Sequence, residues 1–249
     1  MNDSPVFKNR ITQASRSKES RIILALDLTD RNDLLAATLG TMSSLEEHIC
    51  AVKLNFPVIL PLSRSELLQV NQLAHSYGLQ SIADIKLNDI PSTNELAIIH
   101  LSRMGFDALT VNPFIGPESL EATVLQAHEV SCGVLALVYM SHPGARFGFG
   151  SHLLEGKDHA MPVYRKFFEY SVNSQVDGVV VGANQTEILK EISCSASSIP
   201  IYSPGLGVQG GDAKLARDNG TDYFIVGRTI VQSQDPIATV TRLRETLNH

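Results

Sequence analysis

The chain has 249 residues, of which 43% are hydrophobic, and its formal net charge at pH 7 is −6. This size suits one domain with a large core, and the acidic balance argues against a nucleic-acid-binding protein, which carries a basic stripe. Because no apolar run approaches the ~18 residues of a membrane span and Cys50, Cys132 and Cys194 lie far apart, we expect a cytoplasmic protein with buried thiols and no membrane partner.

Residues 1–21 precede the first strand-like run and are predicted to form an N-terminal extension that is helical. Val6, Phe7, Ile11 and Ala14 recur at helical spacing and give this segment one apolar face. We expect that face to pack on the bottom of the domain formed by residues 22–249.

Apolar runs alternate with amphipathic stretches eight times along the rest of the chain. The strand runs are nearly continuous in apolar residues, which is typical of parallel strands with both faces buried. Eight such units favour an α/β fold of the (β/α)8 TIM-barrel type over an open sheet. The predicted strands are Ile22 to Leu26, Ala51 to Leu54, Leu79 to Lys86, Ala108 to Val111, Val134 to Val138, Gly178 to Val181, Ile201 to Ser203 and Tyr223 to Val226. The predicted helices are Asn32 to Met42, Arg64 to Ser76, Ser92 to Met104, Glu118 to Val130, Pro162 to Ser174, Gln185 to Ile192, Asp212 to Asn219 and Pro236 to Leu247.

Charged residues stand where several of these strands end, which is where barrel enzymes carry their chemistry. Asp27, Lys53 and the pair Asp84 and Lys86 end strands one, two and three, and Asp89 begins the next element. Residues two apart on a strand point the same way, so Asp84 and Lys86 are expected side by side. An ion pair with a helix N-cap is the alternative, but so many charges at one mouth are costly and indicate an active site.

A glycine-rich stretch, Gly205-Leu206-Gly207-Val208-Gln209-Gly210-Gly211, follows strand seven, and Arg228 follows strand eight. Barrels often hold phosphate between these two loops, where glycine lets backbone N–H groups approach an anion and arginine supplies a forked cation. A flexible turn with a surface arginine is the alternative. The pattern favours a phosphorylated small-molecule substrate.

Four motifs carry a family resemblance: Asp84-Ile85-Lys86-Leu87-Asn88-Asp89-Ile90-Pro91, Met140-Ser141-His142-Pro143-Gly144-Ala145, Pro204-Gly205-Leu206-Gly207-Val208-Gln209-Gly210-Gly211 and Val226-Gly227-Arg228. Together they resemble the orotidine 5′-phosphate decarboxylase family, above all its short, archaeal-like members. The resemblance implies decarboxylation of orotidine 5′-phosphate to UMP without a cofactor or a metal. It also implies a homodimer whose active sites are shared between subunits.

The same resemblance implies a role for each matching residue. Lys86 is similar to the proton donor to C6, within a network that Lys53, Asp84 and Asp89 complete. Asp89, Ile90 and Thr93 resemble residues that reach into the partner subunit's site. The remaining expected contacts are Asp27 and Lys53 to the ribose, Ser141 to the pyrimidine edge, Pro204 near the base, and Gln209, Gly227 and Arg228 to the phosphate.

Two other functions stay open. A sugar-phosphate decarboxylase or aldolase of the same barrel suprafamily would share the DxKxxD motif and use Mg²⁺, but it resembles this chain less because it places a glutamate where strand two here ends in Lys53. A non-catalytic sensor of a phosphorylated ligand has no need of Lys86 among carboxylates. The segment from Ala145 to Ala160 exceeds a usual βα loop, and we expect a lid or an interface segment there.

Overall fold

A closed parallel barrel dominates the structure, a computed structural model that describes residues 6–28, 33–155, 159–195, 199–207 and 209–248. Four parts of the predictions lie outside the described residues: 1–5 of the N-terminal extension, Asn32 of the predicted helix Asn32 to Met42, 156–158 of the expected lid or interface segment, and Val208 of the glycine-rich motif. The strands in chain order are β1 (Ile22–Ala25), β2 (Ala51–Asn55), β3 (Gln80–Leu87), β4 (Ala108–Val111), β5 (Gly133–Tyr139), β6 (His152–Glu155), β7 (His159–Pro162), β8 (Gly178–Val181), β9 (Ile201–Pro204) and β10 (Tyr223–Val226).

Eight of these strands are hydrogen-bonded in the order β1-β10-β9-β8-β5-β4-β3-β2, and β1 closes the ring by pairing with both β10 and β2. All eight pairings are parallel. Every residue of β1, β4, β5, β8 and β10 is buried, as expected where helices cover the outside and side chains fill the inside. The predicted TIM barrel is confirmed.

The helices of the described residues surround the barrel, and local sequence explains where several of them begin. Ser63 accepts the backbone N–H of Glu66, whose carboxylate accepts the N–H of Ser63, so a capping box starts α4. Proline occupies the first turn of both α5 and α6, where its missing N–H costs nothing. The helices are α1 (Phe7–Ser17), α2 (Leu34–Leu45), α3 (Phe56–Ile59), α4 (Arg64–Ser76), α5 (Pro91–Arg103), α6 (Pro117–Glu129), α7 (Val163–Asn173), α8 (Thr186–Ser193), α9 (Ala213–Asp218), α10 (Arg228–Val231) and α11 (Pro236–Asn248). None of them combines the length and the apolar character that a membrane crossing requires.

The leading helix α1 lies against the N-terminal ends of the strands. Phe7, Ile11 and Ala14 are buried on one face, whereas Val6 precedes the helix and is 49% exposed, so its expected place in the apolar face is wrong. Arg10 donates from Nη2 to the carbonyl of Ser131 at 2.9 Å, which ties the helix to the turn before β5. The helix thereby covers the end of the barrel opposite the cavity described below.

Aspartates before two strands, the buried Asp177 and the half-buried Asp107, brace this same end of the barrel. Asp177, just before β8, accepts the backbone N–H of Val134 at 2.9 Å and also binds Nε2 of His128 at 2.9 Å. Asp107 makes the corresponding contacts to the N–H of Ser81 and to Nε2 of His75. The hydrogen bond that each histidine donates to its aspartate outweighs partial burial and raises the pKa of that histidine.

The loop after β5 has more structure than the sequence showed, its expected role as a lid or an interface segment stays a prediction, and one expectation about the cysteines is wrong. The segment expected to be a long βα loop contains a 3-10 turn (Pro143–Phe147) and the antiparallel hairpin β6–β7, anchored where Phe149 packs between the rings of Tyr139 and Phe167. Of the three thiols, Cys50 and Cys132 are buried, but Cys194 is exposed because it follows the last turn of α8.

Candidate active site

A cavity of about 410 Å³ opens at the C-terminal ends of the barrel strands, where the sequence places the charged residues. It is lined by most of the predicted site: Asp27, Lys53, Asp84, Lys86, Ser141, Pro204, Gln209, Gly227 and Arg228. These residues come from the ends of β1, β2, β3, β5, β9 and β10, so the fold gathers groups that are up to two hundred positions apart in sequence.

Asp84 is the centre of the charge network in this cavity. Its Oδ2 accepts a hydrogen bond from Lys53 Nζ at 2.6 Å, and its Oδ1 accepts one from Lys86 Nζ at 2.7 Å. The side chains of Lys53 and Asp84 are 7% and 14% exposed, whereas that of Lys86 is 38% exposed. One largely buried carboxylate therefore holds two ammonium groups, and both lysines line the cavity.

The network keeps Asp84 ionised. Burial by itself would raise the pKa of this carboxyl, but the charges of Lys53 and Lys86 and their hydrogen bonds outweigh burial and hold the pKa well below its usual range. The arrangement supplies one negative and two positive charges fixed in a partly desolvated site, where such charges act more strongly than in water.

The backbone around Lys86 is irregular, whereas the sequence suggested a regular strand. Ala83 pairs with Leu109 and Leu87 with Val111, so the three β3 residues between them lie opposite the single β4 residue Thr110. Lys86 has φ +48°, a left-handed conformation that is uncommon for a residue with a side chain. Asp84 and Lys86 do meet as predicted, but a bulge brings them together.

Next to this network around the barrel, Asp27 and Gly227 lie just beyond the ends of the neighbouring strands β1 and β10. Asn55 Nδ2 donates to Asp27 Oδ1 at 2.8 Å, which fixes the carboxylate that the family resemblance assigns to the ribose. A Cβ added to Gly227 would lie 2.9 Å from Asp27 Oδ2 and 3.2 Å from Cβ of Ala25. Glycine is required here because any larger residue would push this carboxylate from its position.

Across the mouth, Ser141 and Gln209 connect the loop after β5 to the glycine-rich loop after β9. Ser141 Oγ donates to Gln209 Oε1 at 2.6 Å, and Asn184 Nδ2 donates to the carbonyl of Ser141 at 2.8 Å. Gly205 has φ +97°, and an added Cβ would lie 2.7 Å from Gln209 Oε1. This glycine therefore permits the tight turn that brings Gln209 over the cavity.

Arg228 follows Gly227 and begins the short helix α10 at the edge of the cavity. Its side chain is exposed, and within the part of the chain that the structure describes no carboxylate forms an ion pair with it. Thr229 Oγ1 donates to the carbonyl of Leu206 at 2.9 Å and joins this helix to the glycine-rich loop. A guanidinium beside glycine-rich backbone is a suitable receptor for a phosphate group.

Three predicted site residues, Asp89, Ile90 and Thr93, do not line the cavity of their own chain. All three are exposed, and Ile90 is 63% exposed. Asp89 Oδ1 accepts the backbone N–H of Ile90 at 2.7 Å just before α5. The predicted charge network consists of Lys53, Asp84, Lys86 and Asp89. Within one chain, the cavity therefore contains the first three of these but not Asp89.

Several residues that line the cavity were not predicted from the sequence, above all Thr110 and Asn55. Thr110 is the one polar residue of the apolar strand β4, and that contrast could have identified it. The apolar wall formed by Leu137, Val180 and Ile225 carries no such signal, because these residues read as ordinary core.

Packing alone does not explain this mouth. Apolar side chains in place of the two ammonium groups and the carboxylate would serve a barrel's stability about as well, since desolvation offsets most of the attraction between these charges. A charged cavity beside a phosphate-sized receptor is instead what a reaction requires. The fold and the site thus define a barrel enzyme.

The chain is similar to known proteins over most of its length. The profile described as "Orotidine 5'-phosphate decarboxylase / HUMPS family" matches residues 20–243. The orotidine 5′-phosphate decarboxylase of Thermococcus kodakarensis is 36% identical over 92% of this chain and 97% of its own length. The crystal structures of that enzyme from Pyrococcus horikoshii and of the Methanocaldococcus jannaschii enzyme complexed with inhibitor BMP superpose with TM-scores of 0.75 and 0.78; each is 30% identical and covers 92% of this chain and 99% of its own.

The chain belongs to the orotidine 5′-phosphate decarboxylase / HUMPS family, and the resemblance that the four motifs predicted is confirmed. It is an enzyme of the carboxy-lyase class found in that family.

Proposed function

We propose that the chain converts orotidine 5′-phosphate to UMP and CO2, the last step of UMP biosynthesis, without a cofactor. The observation that carries the proposal is the chain of contacts from Lys53 through Asp84 to Lys86 inside the cavity, at 2.6 and 2.7 Å. The names of the curated relatives support the same substrate. The bound inhibitor in the M. jannaschii structure supports a small-molecule site in this fold.

Decarboxylation at C6 requires fixed charges that stabilise a carbanion. When the C6–carboxylate bond breaks, CO2 leaves and the bonding electron pair stays on C6, where the ring delocalises it poorly. Without a cofactor to accept the pair, electrostatic stabilisation from preorganised groups must lower the barrier. The ammonium of Lys86, held by Asp84, is the cation that this step requires.

The same ammonium completes the reaction. Lys86 gives a proton to the C6 electron pair and forms the C6–H bond of UMP, and the neutral amine takes up a proton from solvent before the next turnover. Lys53 keeps Asp84 ionised throughout, so the carboxylate can return Lys86 to its position. Atoms and charge balance with one proton consumed for each CO2 released.

The far end of the substrate supplies binding energy. In our proposal Gln209, Gly227 and Arg228 hold the phosphate, Asp27 and Lys53 hold the ribose hydroxyls, and Ser141 and Pro204 contact the base. The phosphate is remote from the bond that breaks, but its binding energy can order the loops and the charged groups around the reacting carbon.

We further propose a homodimer that completes each site. Asp89, Ile90 and Thr93 lie outside the cavity of their own chain and are exposed on the surface beside it. An isoleucine that is 63% exposed next to a carboxylate before a helix suits a surface that a second copy covers. Asp89 of each subunit would then add the second carboxylate to the network of its partner.

The Mg²⁺-dependent alternative has less support. Mg²⁺ requires oxygen ligands, but at the end of β2 this chain has the ammonium of Lys53, which already occupies Asp84 Oδ2. A non-catalytic sensor has no use for Lys86 beside that carboxylate. Orotidine 5′-phosphate binding without turnover would favour the sensor, and activity that EDTA abolishes would favour the metal enzyme.

The direct test follows the absorbance of orotidine 5′-phosphate after the purified chain is added in EDTA. We expect the absorbance of the substrate to fall as UMP forms, and we expect Lys86→Ala to abolish the change. Lys190→Ala is a matched control, since Lys190 lies on α8 outside the cavity, and it should leave the rate unchanged.

A further inference from the structure

Thr110 occupies an unusual position in the site. It lies in β4 among apolar residues, its side chain reaches the cavity, and the residue is 4% exposed. Its hydroxyl accepts the backbone N–H of Lys86 at 2.9 Å and contacts Asp84 Oδ1 at 3.0 Å. One side chain thus touches both the backbone of the lysine and the carboxylate that binds the lysine's ammonium.

The direction of these hydrogen bonds follows from the groups themselves. A backbone amide can only donate, so Thr110 Oγ1 is the acceptor from Lys86. An ionised carboxylate can only accept, so the single hydroxyl proton of Thr110 points to Asp84. The Thr110 hydroxyl therefore makes one hydrogen bond as an acceptor, from the Lys86 amide, and one as a donor, to the Asp84 carboxylate.

The bulge makes the first of these bonds important. Asp84, Ile85 and Lys86 lie opposite Thr110 alone, so the regular β3–β4 pairing gives the amide of Lys86 no backbone carbonyl in the described ladder. A left-handed residue with φ +48° persists only where its surroundings hold it. The Thr110 hydroxyl takes the place of the missing carbonyl and stabilises this conformation.

We propose that Thr110 is a positioning residue, which fixes the backbone of Lys86 and the carboxylate of Asp84 so that the Lys86 ammonium is aimed at the reacting carbon. The inference rests on the proposed decarboxylation for its kinetic consequences, but the contact between Thr110 and the Lys86 amide does not depend on any reaction. Thr110 acts through Lys86 and Asp84 and needs no contact with the substrate.

The test compares Thr110→Val, which keeps the shape and removes the hydroxyl, with Thr110→Ser, which keeps the hydroxyl. We expect Thr110→Val to lower kcat by about tenfold to a hundredfold, because a buried amide and a carboxylate each lose a partner. KM should change by less than about threefold, since the phosphate and ribose contacts are elsewhere. Thr110→Ser should recover most of kcat. A general loss of packing would instead affect both variants and would lower the folded fraction rather than kcat per folded site.

A second measurement needs no activity. Hydrogen exchange of the Lys86 amide, followed by NMR in the protein without substrate, should be slow in the wild type and in Thr110→Ser and at least tenfold faster in Thr110→Val. Equal protection in all three proteins would overturn the positioning role, and so would a Thr110→Val enzyme with wild-type kcat. If the wild type failed to turn over orotidine 5′-phosphate, the proposed function would be wrong, and the exchange result would still decide the role of Thr110.

Discussion

Removing the charge of Asp84 is the perturbation that the site geometry predicts in most detail. Asp84→Asn keeps the shape of the side chain but takes away the anion that two ammonium groups share at 2.6 and 2.7 Å. A hydrogen bond to a charged group is worth about 1.5–3 kcal/mol. We take about 2 kcal/mol for the buried Lys53 contact and, because Lys86 is 38% exposed and its charge is screened, about 1 kcal/mol for the second.

A loss of about 3 kcal/mol in the ordering of the two lysines corresponds to about a hundredfold fall in kcat/KM. Steady-state decarboxylation of orotidine 5′-phosphate measures it. Asp218→Asn is the matched control: that carboxylate also pairs with a cation, Arg217, at 2.8 Å, but on the surface outside the cavity, and the variant should keep its rate within about twofold. An Asp84→Asn enzyme that retained a third of wild-type kcat/KM would show that the Asp84 anion does not hold the two lysines for catalysis.

We also expect the effect of Asp84→Asn on the free energy of unfolding to depend on pH. The pKa of Asp84 in the folded chain lies below its value in the unfolded chain, so its ionisation stabilises the fold at pH above about 4 and this contribution is lost as pH falls through the folded pKa. The difference in free energy of unfolding between the wild type and Asp84→Asn should therefore be largest near neutral pH and should shrink below about pH 4. Urea titrations at several pH values measure it.

Three further predictions concern the dimer, the phosphate and the base of the barrel. When equal amounts of inactive Lys86→Ala and impaired Asp89→Asn subunits are mixed, activity should rise to about a quarter of the wild-type value. Half of the dimers are then mixed, and one of the two sites in each mixed dimer has both native residues. Arg228→Ala should lower kcat/KM for orotidine 5′-phosphate by about a hundredfold but leave turnover of the nucleoside without phosphate unchanged, and added phosphite should activate that turnover in the wild type more than in the variant. The folded-state pKa of His128 is raised beside Asp177, so the pair stabilises the fold below about pH 6.5 and less as pH rises through that pKa; His128→Gln should lower the free energy of unfolding by less than about 1 kcal/mol at pH 5.5 and by less still at pH 8.5.

Each of these has a control or a contradicting outcome. No recovery in the mixed dimers would place Asp89 in its own subunit's site or outside catalysis. An equal loss with both substrates in Arg228→Ala would show that this residue acts on the charge network and not on the phosphate. His100→Gln removes an exposed histidine that has no ion pair in the described part of the chain, and a pH dependence like that of His128→Gln would contradict the role of the Asp177 pair.

The sequence predicted the barrel because nearly continuous apolar runs leave little choice of structure. Strands β4, β8 and β10 and helix α4 have the predicted bounds, since turn residues or a capping box mark their ends. The hairpin β6–β7 was missed because its strands are short and lie between glycines, so no periodicity builds up. Cys194 was misplaced because small neighbours read as core although the chain has left the helix there.

Site residues were predictable where charged side chains follow apolar strands. They were less predictable where an irregular backbone determines which side chains meet. Asp84 and Lys86 were found by their spacing, but the bulge that joins them depends on pairing between β3 and β4, which no local pattern encodes. Thr110 belongs to that pairing and was missed for the same reason. Asp89, in contrast, was predicted from its motif, but it lies outside the cavity of its own chain.

The central claim is that Lys86, held by Asp84, stabilises and protonates the C6 carbanion without a metal. Its most direct test is single-turnover decarboxylation of orotidine 5′-phosphate in EDTA by the wild type and by Lys86→Ala. We expect rapid formation of UMP by the wild type and none above background by the variant at the same site occupancy. Near-wild-type turnover by Lys86→Ala, or wild-type activity that EDTA removes and Mg²⁺ restores, would contradict it.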